Sequence, residues 1–109
     1  MRVRKGRAVE NRVLTIALQD GFSDDAVTVR VDGRTVIDNQ VMRTDQRIGL
    51  AYALDVPGMA GLVALQVHLP DRDLQVSRDI DTQASPFVGI SLLDGELVVT
   101  TSQTPFGYA

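Results

Sequence analysis

The side chains best suited to holding a metal or moving a proton are twelve aspartates, two glutamates and one histidine, His68, in a chain of 109 residues. Five aspartates, Asp20, Asp24, Asp25, Asp71 and Asp73, fall between extended runs and are the candidate ligands of a calcium site. A hard cation takes roughly six to eight oxygens, so several carboxylates and loop carbonyls must meet in one place. In an up-and-down succession of antiparallel strands alternate loops share an end. That geometry groups the five with Asp45 and Asp94, provided residues 34–47 contain a single strand. Aspartate also serves turns in its own right, because its carboxylate bonds nearby amides and it tolerates left-handed backbone. The order Asp20-Gly21-Phe22-Ser23-Asp24-Asp25 lacks the EF-hand spacing. Turn formation without a cofactor is the expectation, and calcium is the alternative.

His68 has the one side chain whose ordinary pKa lies near neutrality, so a general base or pH switch falls to it. It belongs to the polar set of an alternating run, beside Gln66. Hydrolysis would need Ser77 or Asp79 placed across a neighbouring strand, and the chain has no Gly-x-Ser-x-Gly elbow. The dispersed aspartates do not select a glycosidase pair. Gly58 to Gly61 lacks the Lys and Ser/Thr of a phosphate loop and reads as a hairpin loop. The absence of cysteine removes disulfides, thiolate nucleophiles and Cys-ligated metals. Without tryptophan, and with two Tyr and three Phe, flat stacking platforms for sugars or single-stranded nucleic acid are scarce.

Charge narrows the field further. Arg2, Arg4, Lys5 and Arg7 hold four of the eleven cations, which leaves seven against fourteen anions in the rest, a charge of −7. An acidic body with a short basic lead offers no continuous positive face for phosphate, so nucleic acid is not an expected partner. The apolar runs are of strand length and no export signal is visible, so no membrane span is expected and the chain as written reads as cytoplasmic, with an extracellular location as the alternative if an export signal was removed.

These residues must be positioned by extended elements. Leu14, Ile16 and Leu18 alternate with their neighbours, as do Val27, Val29 and Val31, which is the period-two pattern of strands with one buried face. Asp32-Gly33 then supplies a two-residue hairpin turn before Thr35 to Ile37. Residues 38–47 read as a loop or a short edge strand. Leu50, Tyr52, Leu54 and Val56 alternate up to Pro57, and Val63, Leu65, Val67 and Leu69 resume after Gly61; these two runs suggest a second hairpin. Leu74, Val76 and Ile80 lie in a more polar run with Arg78 and Asp79, as expected at a sheet edge. Val88, Ile90 and Leu92 lead to Asp94-Gly95, with Leu97 and Val99 beyond it, a third hairpin. The expected fold is all-β: a two-sheet antiparallel β-sandwich of seven or eight short strands, with a small β-barrel as the alternative. Phe22, Phe87 and Tyr52 are its expected bulky core members.

The chain divides into a basic, frayed lead over residues 1–12, a single β-sandwich domain over 13–101, and a tail over 102–109 packing on the domain or on a partner. The tail carries Phe106 and Tyr108 beside Pro105 and Gly107, which makes those two aromatics the candidate partner-binding residues. The combination of Asp20-Gly21-Phe22, Val29-Arg30-Val31-Asp32-Gly33 and Pro105-Phe106-Gly107-Tyr108 resembles small bacterial β-sandwich proteins of uncharacterised function. That resemblance implies a fold and transfers no catalytic or ligand residue. The leading functional expectation is a non-catalytic interaction module that binds another protein or its own copy, through a sheet edge or the aromatic tail. A calcium-assisted carbohydrate-binding module follows, and an Asp/His hydrolase comes third.

Overall fold

The computed structural model describes residues 13–107. The frayed lead expected over residues 1–12 and the partner contact expected of Tyr108 lie outside the described residues.

Eight strands run β1 (Val13–Leu18), β2 (Ser23–Val31), β3 (Arg34–Arg43), β4 (Tyr52–Pro57), β5 (Leu62–Leu69), β6 (Leu74–Asp81), β7 (Phe87–Leu93) and β8 (Glu96–Ser102), with one 3-10 turn at Pro70–Arg72. They form two four-stranded sheets in the orders β4-β1-β7-β8 and β3-β2-β5-β6. This is the expected two-sheet sandwich. The core sits where the alternating runs place it: Leu14, Ile16 and Leu18 with Val88, Ile90 and Leu92 from the first sheet, facing Val27, Val29 and Val31 with Val63, Leu65, Val67 and Leu69 from the second. The four central strands supply most of the buried core residues; the edge strands β3, β4 and β6 add Ile37, Met42, Val56 and Ile80, and β8 contributes the half-buried Leu97 and Val99.

Two hairpins form as their turns require. In β2–β3 both Asp32 and Gly33 have positive φ, 51° and 79°, and in β7–β8 Asp94 and Gly95 repeat this at 50° and 78°. The expected second hairpin, between the runs ending at Val56 and beginning at Val63, does not form. β4 pairs with β1, whereas β5 pairs with β2 and β6, so Gly58–Gly61 is a crossing between sheets and not a hairpin loop. Alternation fixes which face of a strand is buried, but it carries no information on which strand lies beside it. The crossing also explains Met59, which packs half-buried on the core at the open end between the layers. The true partner of β5 is β6, joined to it in unbroken register through Pro70–Asp73.

Residues 38–43, read as a loop or short edge strand, continue β3. The strand passes a bulge where Asn39 takes φ 48° and its N–H donates to Thr28 Oγ1 at 3.0 Å. Five of the six strand pairings are antiparallel; β1 and β7 run parallel, in register from Thr15↔Phe87 to Leu18↔Ile90. Of the expected bulky core members only Phe22 is buried. Tyr52 begins the edge strand β4 and is 38% exposed at the rim, and Phe87 falls on the outer set of β7, opposite in phase to Val88 and Ile90.

Candidate functional site

One end of the sandwich collects the loops after β1, β3, β5 and β7, as the single strand between residues 34 and 47 requires. Their backbones are stitched together. Thr44 Oγ1 donates to the Gln19 carbonyl at 2.7 Å and accepts from the Phe22 N–H at 3.0 Å. The Thr44 N–H donates to the Phe22 carbonyl at 2.9 Å, Ala51 N–H to Leu18 at 2.7 Å, and Leu92 N–H to Asp20 at 2.8 Å.

The aspartates at this end are engaged locally. Asp25 is buried, at 7% exposure, and accepts from Arg72 Nε at 2.6 Å and from the Ser23 N–H at 2.8 Å. Burial pushes its carboxyl up, but the Arg72 hydrogen bond, the Ser23 amide and the guanidinium charge together outweigh it, so Asp25 titrates below its ordinary value. Its hydrogen bond to that carboxylate raises Arg72 in turn. Asp24 pairs with Arg43 at the surface. Asp45 bonds Arg47 at 2.9 Å and is held below the usual carboxylate range, first by that side-chain bond and then by the Arg47 amide. Asp20 is exposed, and Asp71 and Asp73 stand exposed on the 3-10 turn, with Asp73 left-handed at φ 55° as its C-cap. Topology therefore brings the five candidates to one end. Among the described residues no group of three or more His, Asp or Glu is arranged to hold a metal ion.

His68 is half-buried on the outer face of the second sheet, opposite Thr28 on β2 and Gln75 on β6. Ser77 stands opposite Gln66 and Asp79 opposite Ala64, so neither is the direct cross-strand neighbour of the imidazole. Phe106 is half-buried beyond the end of β8.

The sheet edges differ in a way that bears on partners. An edge strand presents backbone donors and acceptors with no ladder partner, and proteins ordinarily blunt it with charge, proline or a bulge. β3 carries Arg34, Asp38 and Arg43 and is broken by register shifts. β4 is six residues long and includes Asp55 and Pro57. β6 carries Arg78, Asp79 and Asp81, with Arg78 in the inward phase opposite Leu65. β8 has none of these devices along Leu97-Val98-Val99-Thr100-Thr101-Ser102; its single charge, Glu96, stands at its first position, and its register with β7 is unbroken.

The free groups of β8 can be assigned. Thr15 N–H donates to Pro86 at 2.9 Å, Gln19 N–H to Ile90 at 2.7 Å, and Leu92 N–H to Asp20, so the even-numbered residues around β7 turn their backbone groups toward β1 and its continuation. Backbone direction alternates along a strand, so Phe87, Gly89, Ser91 and Leu93 face β8. Their opposites Ser102, Thr100, Val98 and Glu96 complete that ladder. The N–H and C=O groups of Leu97, Val99 and Thr101 point outward, and among the described residues no strand pairs with them. The side chains of Leu97 and Val99 rest half-buried on the core, while Val98 is 36% exposed on the outer face. The sequence places charge in β6 and so directs attention there as an edge. The uncharged run from Leu97 to Thr101, β-branched from Val98 onward, is the signal for β8, but only the sheet order shows that it has one neighbour.

No helix among the described residues is long and apolar enough to cross a membrane. Comparison with protein-family models, with curated proteins and with solved structures gave no match.

Proposed function

We propose that this chain is a non-catalytic binding module that receives an extended strand of a protein partner along β8. The observation that carries the reading is the outward row of Leu97, Val99 and Thr101 backbone groups on an edge free of charge along that row. Strand addition draws affinity from main-chain hydrogen bonds and needs no nucleophile, metal or paired base. The half-buried Leu97 and Val99 side chains add apolar surface that an incoming strand covers.

The test is amide hydrogen exchange of the chain, diluted to where it sediments as a monomer, with a synthetic peptide of residues 95–103 as the probe and a scrambled peptide as control. The expected result is slowed exchange at Leu97, Val99 and Thr101 with the native-order peptide, and weaker binding in Val99→Pro, which removes the central outward donor. Unchanged exchange at these three amides, or slowing confined to another edge, overturns the reading.

A further inference from the structure

We infer that the partner strand is β8 of a second copy, paired antiparallel about a twofold axis through Val99, so that the two first sheets join into one. This inference deepens the reading above and rests on it. The residues with free outward groups are Leu97, Val99 and Thr101, and a twofold axis at Val99 sets Val99 against its own copy and Leu97 against Thr101 of the other chain. All three are hydrogen-bonding positions, giving roughly six main-chain bonds at two per pair. The strand overlaps its copy along its whole length, from Glu96 to Ser102.

Charge favours the same arrangement. Like charges directly opposite one another destabilise a strand pair. Here the single charged residue, Glu96, meets Ser102 of the other copy and never its own counterpart. On the outer face Val98 meets Thr100; on the inner face Leu97 and Val99, half-buried now, meet Thr101 and Val99. The other edges do not repeat this self-match: β3 is bulged, β4 contains Pro57, and β6 would bring an inward arginine to the seam. A twofold β8–β8 contact uses the same patch on both chains and closes at two, whereas pairing of β8 with a different edge would leave free ends and grow.

The register makes the inference testable by charge exchange. In the double variant Val98→Lys, Thr100→Lys, each introduced lysine faces a lysine of the other copy. In Val98→Lys, Thr100→Glu, each faces a glutamate. Both positions are exposed, so each monomer is expected to keep its fold, checked by circular dichroism. Sedimentation equilibrium from micromolar to millimolar chain is expected to show a dimer for the wild type, association weakened by about tenfold or more for the lysine pair, and recovery for the lysine–glutamate pair. A wild-type dimer indifferent to the lysine pair overturns the inference, as does a wild type that stays monomeric throughout. In that last case peptide binding decides the broader reading. Slowed exchange at Leu97, Val99 and Thr101 with the 95–103 peptide keeps β8 as a strand acceptor and rejects only the dimer of whole chains, and no slowing rejects both.

Discussion

Gly21 is where the chain leaves the first sheet for the second, and replacing it with alanine should be among the most damaging small substitutions in the molecule. The loop is pinned there by Leu92 N–H donating to the Asp20 carbonyl at 2.8 Å. An ideal Cβ on Gly21 would overlap the Leu92 carbonyl oxygen and lie 2.7 Å from its carbon and 3.2 Å from the Leu92 Cβ. Carbon atoms rest at about 3.5–4.0 Å, so two segments of backbone would have to part by about 1 Å, and neither is a flexible side-chain tip. Gly21 also has φ +92°, which adds left-handed strain of about 1 kcal/mol for alanine. The turn glycine Gly33 separates the two effects: φ is +79°, but a Cβ there meets nothing within 4 Å. We expect Gly33→Ala to cost about 1 kcal/mol. Gly21→Ala should cost about 3 kcal/mol or more, with a melting temperature lower by about 15 °C. Urea and thermal melts of the two variants side by side provide the assay. If Gly21→Ala lies within about 1 kcal/mol of Gly33→Ala, the close approach of the β1–β2 crossing to β7 is refuted, because strain alone would then account for both.

Asp25→Asn should cost about 1 kcal/mol near neutrality through loss of the charge-assisted bonds. Because the folded pKa of Asp25 is depressed, its contribution is complete above the ordinary value of 3.8 and disappears as the pH falls through the folded value. The gap between wild type and variant in urea melts should therefore narrow below about pH 4, and a gap that widens on acidification contradicts the pairing with Arg72. Millimolar calcium should leave the melting temperature unchanged, since Asp24 and Asp25 are engaged by Arg43 and Arg72; a rise that grows with calcium concentration would show a site that the ion pairs had concealed. Proline scanning of β8 should alternate. Val99→Pro removes an outward N–H and should preserve the fold, whereas Val98→Pro removes a donor to β7 and should cost about 2 kcal/mol or more, and equal tolerance at the two positions would refute the assigned directions.

What could be read from the sequence was local. Asp32-Gly33 and Asp94-Gly95 specify their hairpins because both residues must take positive φ, and few other pairs do so readily. The same kind of reading failed at Gly58–Gly61, where strands on either side alternate just as a hairpin would, yet the chain crosses between layers and Met59 fills the gap. Pairings of distant segments, such as β1 beside β7, left no pattern in either strand. Tyr52 kept the inward phase of β4 but not the burial, because position at a sheet edge is a property of the whole order and not of the strand. At the aspartate end the shared location followed from strand parity alone. The arginines that engage it did not, since Arg43 and Arg72 lie 19 and 47 residues from Asp24 and Asp25.

The unequal edges follow from where the charges went. Adding a strand beside β6 would bring neighbouring chain over Arg78, which stands in the inward phase opposite Leu65 and donates to the Ser77 carbonyl at 2.9 Å; enclosing a guanidinium that no carboxylate pairs among the described residues costs several kcal/mol. At β3 the bulge at Asn39 turns the strand so that a straight partner can follow only part of it. Pro57 on β4 removes one backbone donor, and Asp55, bonded through Oδ1 to Thr15 Oγ1 at 2.7 Å, keeps a carboxylate beside that edge. An acidic chain had enough charged residues to treat the fourth edge in the same way. Instead β8 has valine and threonine at its centre, residues that favour pleated pairing and leave the outward groups of Val99 and its neighbours unshielded. A lysine at Val98 or Thr100 would have cost the monomer little, because both side chains are exposed on the outer face. The bare edge is therefore not forced by the packing of the fold, and the lack of charge, proline or bulge from Leu97 to Ser102 is what distinguishes β8 from the other three edges among the described residues.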